Sequence, residues 1–372
     1  MTNELVPFRI DVPDSDLRDL HRRLDATRWP DELPEIGWAH GIPLATVREL
    51  ALYWRNGYDF RQAEARLNAL PQWKTPIDGQ DVHFLHVRSS SPHALPLVLT
   101  HGWPGTVAEF LDVVGPLTEP QLHGGSAKDA FHVVIPSLPG YGFSGPTRSR
   151  GWDARRIAKA WATLMQRLGY ERYGAQGGDW GGMVTRELGF VDPHHLVGMH
   201  LNNLLAPPTD DGAGLTALEQ AHLARAGELQ RDGFAYVGMQ STRPQTVAYG
   251  LTDSPVGLLA WIGEKLLTWT DAPMDRDALL THVTIYWLTN TIASSARLYA
   301  EGGAVWGTPV PSTLPMAVAV APKDLLPPIR RYAEPINHIV QWTELPRGGH
   351  FAASEVPELL VADMCTFFAR FR

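Results

Sequence analysis

Five short apolar runs do not alternate with polar residues, and that pattern constrains the fold more than any other feature of the chain. They are PLVLT at 96–100, FHVVIP at 131–136, VGMHL at 197–201, PMAVAVAP at 315–322 and HIVQWTEL at 338–345, each bounded by turn residues. A strand with one face in water alternates, whereas a strand buried on both faces does not. Strands of the second kind belong to a parallel sheet covered by helices. Helical spacing fills the intervals between them. The last helix carries Leu360, Met364, Phe367, Phe368 and Phe371 on one face, which suits docking onto the sheet. The expected fold class is α/β, with a mostly parallel sheet flanked by helices. A chain of 372 residues, 44% of them apolar, can bury such a core.

Two segments stand outside that core. Residues 1–75 read as helices and connecting loops. Pro13-Asp14-Ser15 is a candidate cap ahead of Leu17, Leu20 and Leu24, and Val47, Leu50, Ala51 and Trp54 follow at i, i+3, i+4 and i+7. Both stripes need a surface to lie on, so this N-terminal meander is expected to pack on the main domain. Between 204 and 310 the strand signal disappears. Leu258, Leu259, Ile262 and Leu266 at helical spacing, among Trp261, Trp269, Trp287 and Trp306, read as a helical insertion. The core then occupies 76–203 and 311–372. A parallel α/β core interrupted by a helical insert before its last strands is the layout of a lidded hydrolase.

Charge and cysteine usage exclude several classes of partner. Lys plus Arg number 32 against 40 for Asp plus Glu, a formal charge of −8 with no basic cluster, which speaks against nucleic acid as a partner. One cysteine, Cys365, cannot form an intrachain disulfide, so no oxidising compartment is needed. The segment MTNELVPFRIDVPDSDL has no long apolar stretch, and nowhere do eighteen apolar residues run together. The expectation is a cytoplasmic protein without membrane attachment, with a homodimer left open.

The chemistry concentrates in YGAQGGDWGG at 173–182, which puts Gly177-Gly178-Asp179-Trp180-Gly181 between a short strand and a helix. A nucleophile elbow needs small residues around a strained position that projects into a pocket, and here that position is a carboxylate. An Asp that merely caps the following helix is the other reading of this segment. A carboxylate with a reference pKa of about 3.9 is ionised at neutral pH and needs no base to activate it. Its attack on an ester or amide would give a high-energy anhydride, whereas attack on a saturated carbon bearing a leaving group gives an ordinary ester. An epoxide or an alkyl halide is the expected substrate class. HGWPG at 101–105 follows a strand, and the N–H groups of Trp103 and Trp180 would form an oxyanion hole, although WPG is also an ordinary turn sequence. His350, in RGGHFAASEVPELL, stands between a strand and the last helix, where this layout places its base. Asp324, in AVAPKDLLPP, completes the chain order nucleophile, acid, base, with capping before Leu325 as its alternative.

At this point the chain resembles the microsomal-type epoxide hydrolases of the α/β-hydrolase superfamily. The resemblance covers nearly the whole chain: the meander, HGWPG, PSLPGYGFSG at 136–145, GGDWGG, STRPQTVAYGLTDSPVGLLAWIGEKLLTWTD at 241–271 and RGGHFAASEVPELL. It implies Asp179 as nucleophile, His350 as base and Asp324 as the acid that orients it. It also implies two lid tyrosines over the pocket, Tyr236 and Tyr299, with Tyr249 and Tyr286 as competitors. Without the resemblance, Tyr236 and Tyr299 read as core or interface aromatics. Membrane-bound animal members carry an N-terminal anchor that this chain departs from, so membrane attachment is not carried over.

The expected reaction follows from these parts. Tyr236 and Tyr299 would hold the ring oxygen and protonate it while Asp179 attacks from the opposite side. His350 would then activate water against the resulting ester and release a vicinal diol. No metal or organic cofactor is required, and no HExxH, Walker or dinucleotide fingerprint is present. A dehalogenase would share Asp179 and the histidine but needs halide donors. A serine esterase is excluded by Asp179, and a non-catalytic member would be expected to lack part of the triad. Detoxification of small lipophilic epoxides and tailoring of a bulky intermediate fit equally well.

Overall fold

A computed structural model describes residues 4–210, 212–302 and 310–372. Nine strands form one sheet in the order β1-β2-β3-β5-β4-β6-β7-β8-β9. They are β1 (Val6–Phe8), β2 (Gln72–Ile77), β3 (Gln80–Val87), β4 (Leu95–Thr100), β5 (Phe131–Pro136), β6 (Tyr173–Gly177), β7 (Leu196–Leu201), β8 (Ser312–Val320) and β9 (Asn337–Glu344). From β5 through β4 to β9 all pairings are parallel. The pairings of β1, β2, β3 and β5 are antiparallel. The five runs read from the sequence are β4, β5, β7, β8 and β9. Every residue of β5 is buried, as a strand covered on both faces requires. β9 departs from that expectation: it closes the sheet at one end, and most of its residues are half-buried or exposed.

The helices are α1 (Asp14–Asp25), α2 (Leu44–Asn56), α3 (Phe60–Asn68), α4 (Leu111–Thr118), α5 (Ala154–Arg167) and α6 (Trp180–Val191). Then come α7 (Ala217–Glu228), α8 (Ala235–Thr242), α9 (Pro244–Asp253), α10 (Pro255–Thr268), α11 (Arg276–Thr289) and α12 (Ile292–Glu301). Short α13 (Arg330–Ala333) and α14 (Ala352–Glu355) precede α15 (Pro357–Phe368). Sequence chemistry sets several of these starts. Asp153 accepts the Arg156 N–H to cap α5, and Ser254 accepts the Gly257 N–H ahead of Pro255 to cap α10. The cap expected at Pro13-Asp14-Ser15 is not made, since no side chain there bonds an N–H of α1. None of the described helices is long and apolar enough to cross a membrane.

Between Leu201 and Ser312 no strand occurs among the described residues, and α7 to α12 form a layer over the carboxyl ends of the strands. The meander lies against that layer. Leu20, Leu24, Val47, Leu50, Ala51 and Trp54 share one apolar core with Leu258, Leu259, Ile262 and Leu266 of α10. Polar contacts rim the seam: Arg23 donates to the Asp253 carboxylate at 2.9 Å, and the Tyr53 hydroxyl donates to Asp277 at 2.7 Å. The meander is not all helix and loop, however. Val6–Phe8 form β1, which pairs with β2 at the sheet's edge, and β2 itself begins within the 1–75 segment, at Gln72.

Strand order reverses between β4 and β6, and open α/β sheets bind ligands beyond the carboxyl ends of strands at such a point. Thr100 of β4 pairs with Gly177 of β6, and Gly177 with Leu201 of β7. The segments that follow β4, β6, β8 and β9 carry Trp103, Asp179, Asp324 and His350.

Candidate active site

Asp179 sits on the tight turn between β6 and α6 with φ +52° and ψ −129°, a backbone conformation that a residue with a side chain rarely adopts. The turn closes because its neighbours are small: a Cβ on Gly181 would fall 1.9 Å from the Thr100 carbonyl oxygen. A Cβ on Gly102 would fall 2.3 Å from Asp179 Oδ1, so only glycine lets the HGWPG loop approach the carboxylate. The structure does not hold Asp179 as an ordinary helix cap, since its side chain makes no capping bond to the N–H groups beyond the first residue of α6. Its carboxylate instead receives the backbone N–H of Trp103 at Oδ1, 2.8 Å away, and that of Trp180. These are the two N–H groups expected from the sequence.

His101 shapes that loop. Its Nε2 accepts the Leu138 N–H at 3.2 Å, leaving Nδ1 to donate to the Gly102 carbonyl at 3.0 Å. Burial pushes its pKa down to about 4, so the ring stays neutral and keeps one donor and one acceptor.

The expected triad members converge. His350 Nδ1 donates to Asp324 Oδ1 at 2.6 Å, and His350 Nε2 lies 3.7 Å from Asp179 Oδ2. Thus Oδ1 of Asp179 occupies the N–H pair and Oδ2 faces the imidazole. Asp324 is 1% exposed, and its second oxygen accepts from Asn203 Nδ2 at 2.9 Å. No helix follows Asp324 directly; its bond to the Leu325 N–H sits in a turn. Burial works against a charged His350, but the Asp324 carboxylate, with Asp179 and Glu109, overrides it and raises the ring to about 9. Burial raises the Asp179 carboxyl above its ordinary value, with His350 and the two N–H groups opposing the shift.

Tyr236 on α8 and Tyr299 on α12 come together over this carboxylate. Their rings are 5.9 Å apart, and the Tyr236 ring lies parallel to the Trp103 indole at 5.1 Å. Tyr299 meets Trp103 and Trp180 edge-on at 5.8 and 5.0 Å. Burial, reinforced by the Asp179 charge, pushes both phenols above their ordinary range, so each keeps its proton. The Tyr299 hydroxyl is buried without a well-formed hydrogen bond, though it is close enough to feel Tyr236 and Trp180. A buried hydroxyl in that state is uncommon and calls for a ligand or a functional reason. Of the competitors, Tyr249 is 71% exposed, and the Tyr286 hydroxyl donates to the Gly105 carbonyl at 3.1 Å.

A cavity of about 540 Å³ opens onto Asp179 and is lined by apolar residues that include Met183, Leu204, Pro208, Phe234 and Leu326. A larger one of about 660 Å³, between α3 and the 271–278 segment, does not reach Asp179, and neither cavity is lined by Tyr236, Tyr299 or His350. Of the four lid tryptophans, Trp269 lies 5.2 Å from the His350 ring, whereas Trp287 faces the meander beneath the Arg23 guanidinium. Trp306 lies outside the described residues.

Three polar neighbours of the site carried no assignment from sequence. Burial pushes the Glu109 carboxyl up to about 7, with His350 opposing and Asp179 and Glu355 adding to the shift. Glu355 accepts the N–H groups of Gly349 and Phe351, on either side of His350, and that of Asp271. Asn203 holds Asp324. Glu109 and Glu355 do stand inside or beside quoted motifs, but only tertiary contact gives them partners.

Comparison with known proteins agrees with this geometry. Residues 5–110 match the family model described as the epoxide hydrolase N terminus, and residues 96–226 match the α/β hydrolase fold. The chain is 47% identical over 376 residues to a Stigmatella aurantiaca protein named for the epoxide hydrolases, covering 99% of this chain and 86% of that one. It is 35% identical to epoxide hydrolase 1 of Sus scrofa, covering 97% of this chain and 88% of that one. The solved structure of the Aspergillus niger epoxide hydrolase superposes with a TM-score of 0.91 at 34% identity, covering 99% of this chain and 97% of that one. The chain therefore belongs to the epoxide hydrolase family and has its α/β-hydrolase fold.

Proposed function

We propose that the chain hydrolyses a lipophilic small-molecule epoxide to a vicinal diol through a covalent ester on Asp179. One observation carries the reading: a carboxylate holds one oxygen in a pair of N–H groups and turns the other toward a histidine, beneath two buried phenols. Tyr236 and Tyr299 bind the ring oxygen. Asp179 Oδ2 attacks a ring carbon, the carbon–oxygen bond breaks, and a phenol proton passes to the leaving oxygen. His350, held by Asp324, takes a proton from water, and the hydroxide adds to the ester carbonyl. Oδ1 then carries the negative charge between the Trp103 and Trp180 N–H groups. As the adduct collapses, His350 gives its proton to the departing diol oxygen, and the phenolate is reprotonated from solvent. In this reading 76–203 and 311–372 supply the nucleophile, acid and base, 204–310 supplies the lid, and 1–75 braces it. The single half-buried thiol suits work in the cytoplasm.

One feature favours testing a second substrate class: the Trp103 indole N–H is buried without a partner, and such a donor suits a leaving halide. Incubation with diverse epoxides and with haloalkanes, scored for diol and for free halide, separates the two. Diol with no halide is expected. For the two-step path, His350→Gln should still form the ester while losing its hydrolysis by about a thousandfold or more. Mass spectrometry should find the adduct on the peptide that holds Asp179, and Asp179→Ala should give none. An unmodified peptide in a folded, substrate-binding His350→Gln protein would overturn the mechanism.

A further inference from the structure

The buried face of α10 carries one residue that does not belong to an apolar stripe. Leu258, Ile262 and Lys265 fall at i, i+4 and i+7, and Leu258 and Ile262 are wholly buried. Lys265 is itself only 6% exposed. Burying an ammonium group is costly, and its single ion partner among the described residues is the adjacent Glu264, at 2.7 Å and partly open to solvent. A leucine or methionine would fill the position at less cost. What the ammonium does have is a ring beneath it: Nζ lies 5.0 Å from the centroid of Tyr236. That ring also lies parallel to the indole of Trp103, a residue whose backbone N–H holds Asp179.

A cation over an aromatic face is attracted to the ring's π density, and the attraction grows as the ring becomes more negative. Tyr236 becomes more negative at one moment only, when its proton moves to the oxygen of the opening epoxide. An interaction that strengthens between ground state and transition state accelerates the step in which it strengthens. We propose that Lys265 is a positioning residue for the ring-opening step, acting through the Tyr236 ring to stabilise the charge left when its hydroxyl gives up a proton. This rests on Tyr236 being the proton donor of the preceding section. It places the effect in ester formation alone, because the ester's hydrolysis runs through His350 and leaves Tyr236 unchanged.

Single-turnover kinetics of Lys265→Met, Lys265→Arg, Tyr236→Phe and the Lys265→Met/Tyr236→Phe double variant test this, with thermal melts to establish folding. Lys265→Met should slow ester formation about tenfold, which is about 1.4 kcal/mol, and leave ester hydrolysis within twofold of wild type. Lys265→Arg keeps the cation and should recover most of the rate. On the Tyr236→Phe background Lys265→Met should cost nothing more, since there is no proton for the cation to help release. An equal loss on that background would make Lys265 a packing residue and overturn the inference. So would wild-type ester formation in Lys265→Met beside a slow Tyr236→Phe. If Tyr236→Phe itself forms ester at the wild-type rate, the assignment of the donor fails and the inference falls with it. Glu264→Gln guards against a Lys265→Met protein that does not fold. It leaves the ammonium over the ring without its counter-charge and should open the epoxide at least as fast as wild type. A tenfold loss there would mean that the ion pair, rather than the cation, is what matters.

Discussion

Asp179 and His350 answer to each other through charge, and in the proposed mechanism that coupling changes during the reaction. In the resting enzyme His350 stands near 9, with burial opposed by Asp324, Asp179 and Glu109. A protonated imidazole cannot take a proton from water. Once Asp179 is esterified its charge is gone, and with it one of the contributions that raised His350. The ring then loses its proton more readily and is free to act as a base at the step that needs one. Ester hydrolysis should therefore rise with pH through an apparent pKa below about 9. Asp324→Asn should move that limb further down while slowing hydrolysis by about a hundredfold or more, because the ring loses its orientation. Excess-enzyme single-turnover rates between pH 5.5 and 9.5 would show both. A limb at 9 or above would mean that Asp179 does not feed the histidine. The convergence of Asp179, His350 and Asp324 was legible in the sequence because each stands in the segment that follows a strand, in a fixed chain order. Glu109 and Lys265 were not, since a carboxylate two residues into a helical turn and a lysine on a helix stripe look ordinary until tertiary contact surrounds them.

At the scale of elements, the loop that carries His350 is held by more than its own strand. The His350 N–H donates to the Trp269 carbonyl at 2.8 Å, and the Gly348 N–H to Asp271 at 3.0 Å, both in the connection between α10 and α11. Glu355, at the end of α14, gathers the N–H groups of Asp271, Gly349 and Phe351 at 2.7 to 3.1 Å. The 269–271 connection and the 348–351 loop are thus one hydrogen-bonded unit around two carboxylates, Glu355 and Asp271. Glu355→Ala leaves three backbone donors without that acceptor, and bonds to a charged group are worth roughly 1.5–3 kcal/mol each but are not additive. A loss of about 2–4 kcal/mol in chemical denaturation is expected, with Glu355→Gln recovering part of it. A change within about 0.5 kcal/mol would show that water replaces the carboxylate without cost. The strands behind the site were legible from their apolar runs, whereas β1, β2 and β3 were not. Those three are antiparallel and carry polar and half-buried residues such as Gln72, Lys74 and Gln80, so no continuous apolar run marks them. Register with β5, not local composition, recruits them.

Across the whole molecule, the meander, lid and sheet share one apolar interior, so the lid is braced from behind. Leu20, Leu24, Val47, Leu50 and Trp54 are each at most 8% exposed, and all pack into the cluster that holds the lid's α10 and the phenols Tyr236 and Tyr299. Burying side chains of this size contributes roughly 1.5–3 kcal/mol each, so five approach the net stability of an entire domain. Removing residues 1–70 should leave that face of the lid in water and yield aggregated protein. The cut at 71, between α3 and β2, matters to the interpretation. A cut at 76 would sever β2 and expose the edge of β3, so aggregation would have two causes. With β2 intact, the only described strand lost is the three-residue β1, and aggregation reports the meander's apolar contacts, those of the seam together with those of Ile10, Phe60 and Leu67 on the sheet side. Expression of 71–372 followed by size-exclusion chromatography and a thermal melt is the measurement. Residues 1–70 supplied in trans should bind and restore a monodisperse species if the seam drives association. A soluble 71–372 protein that melts at the wild-type temperature would mean that the lid holds its shape without the brace.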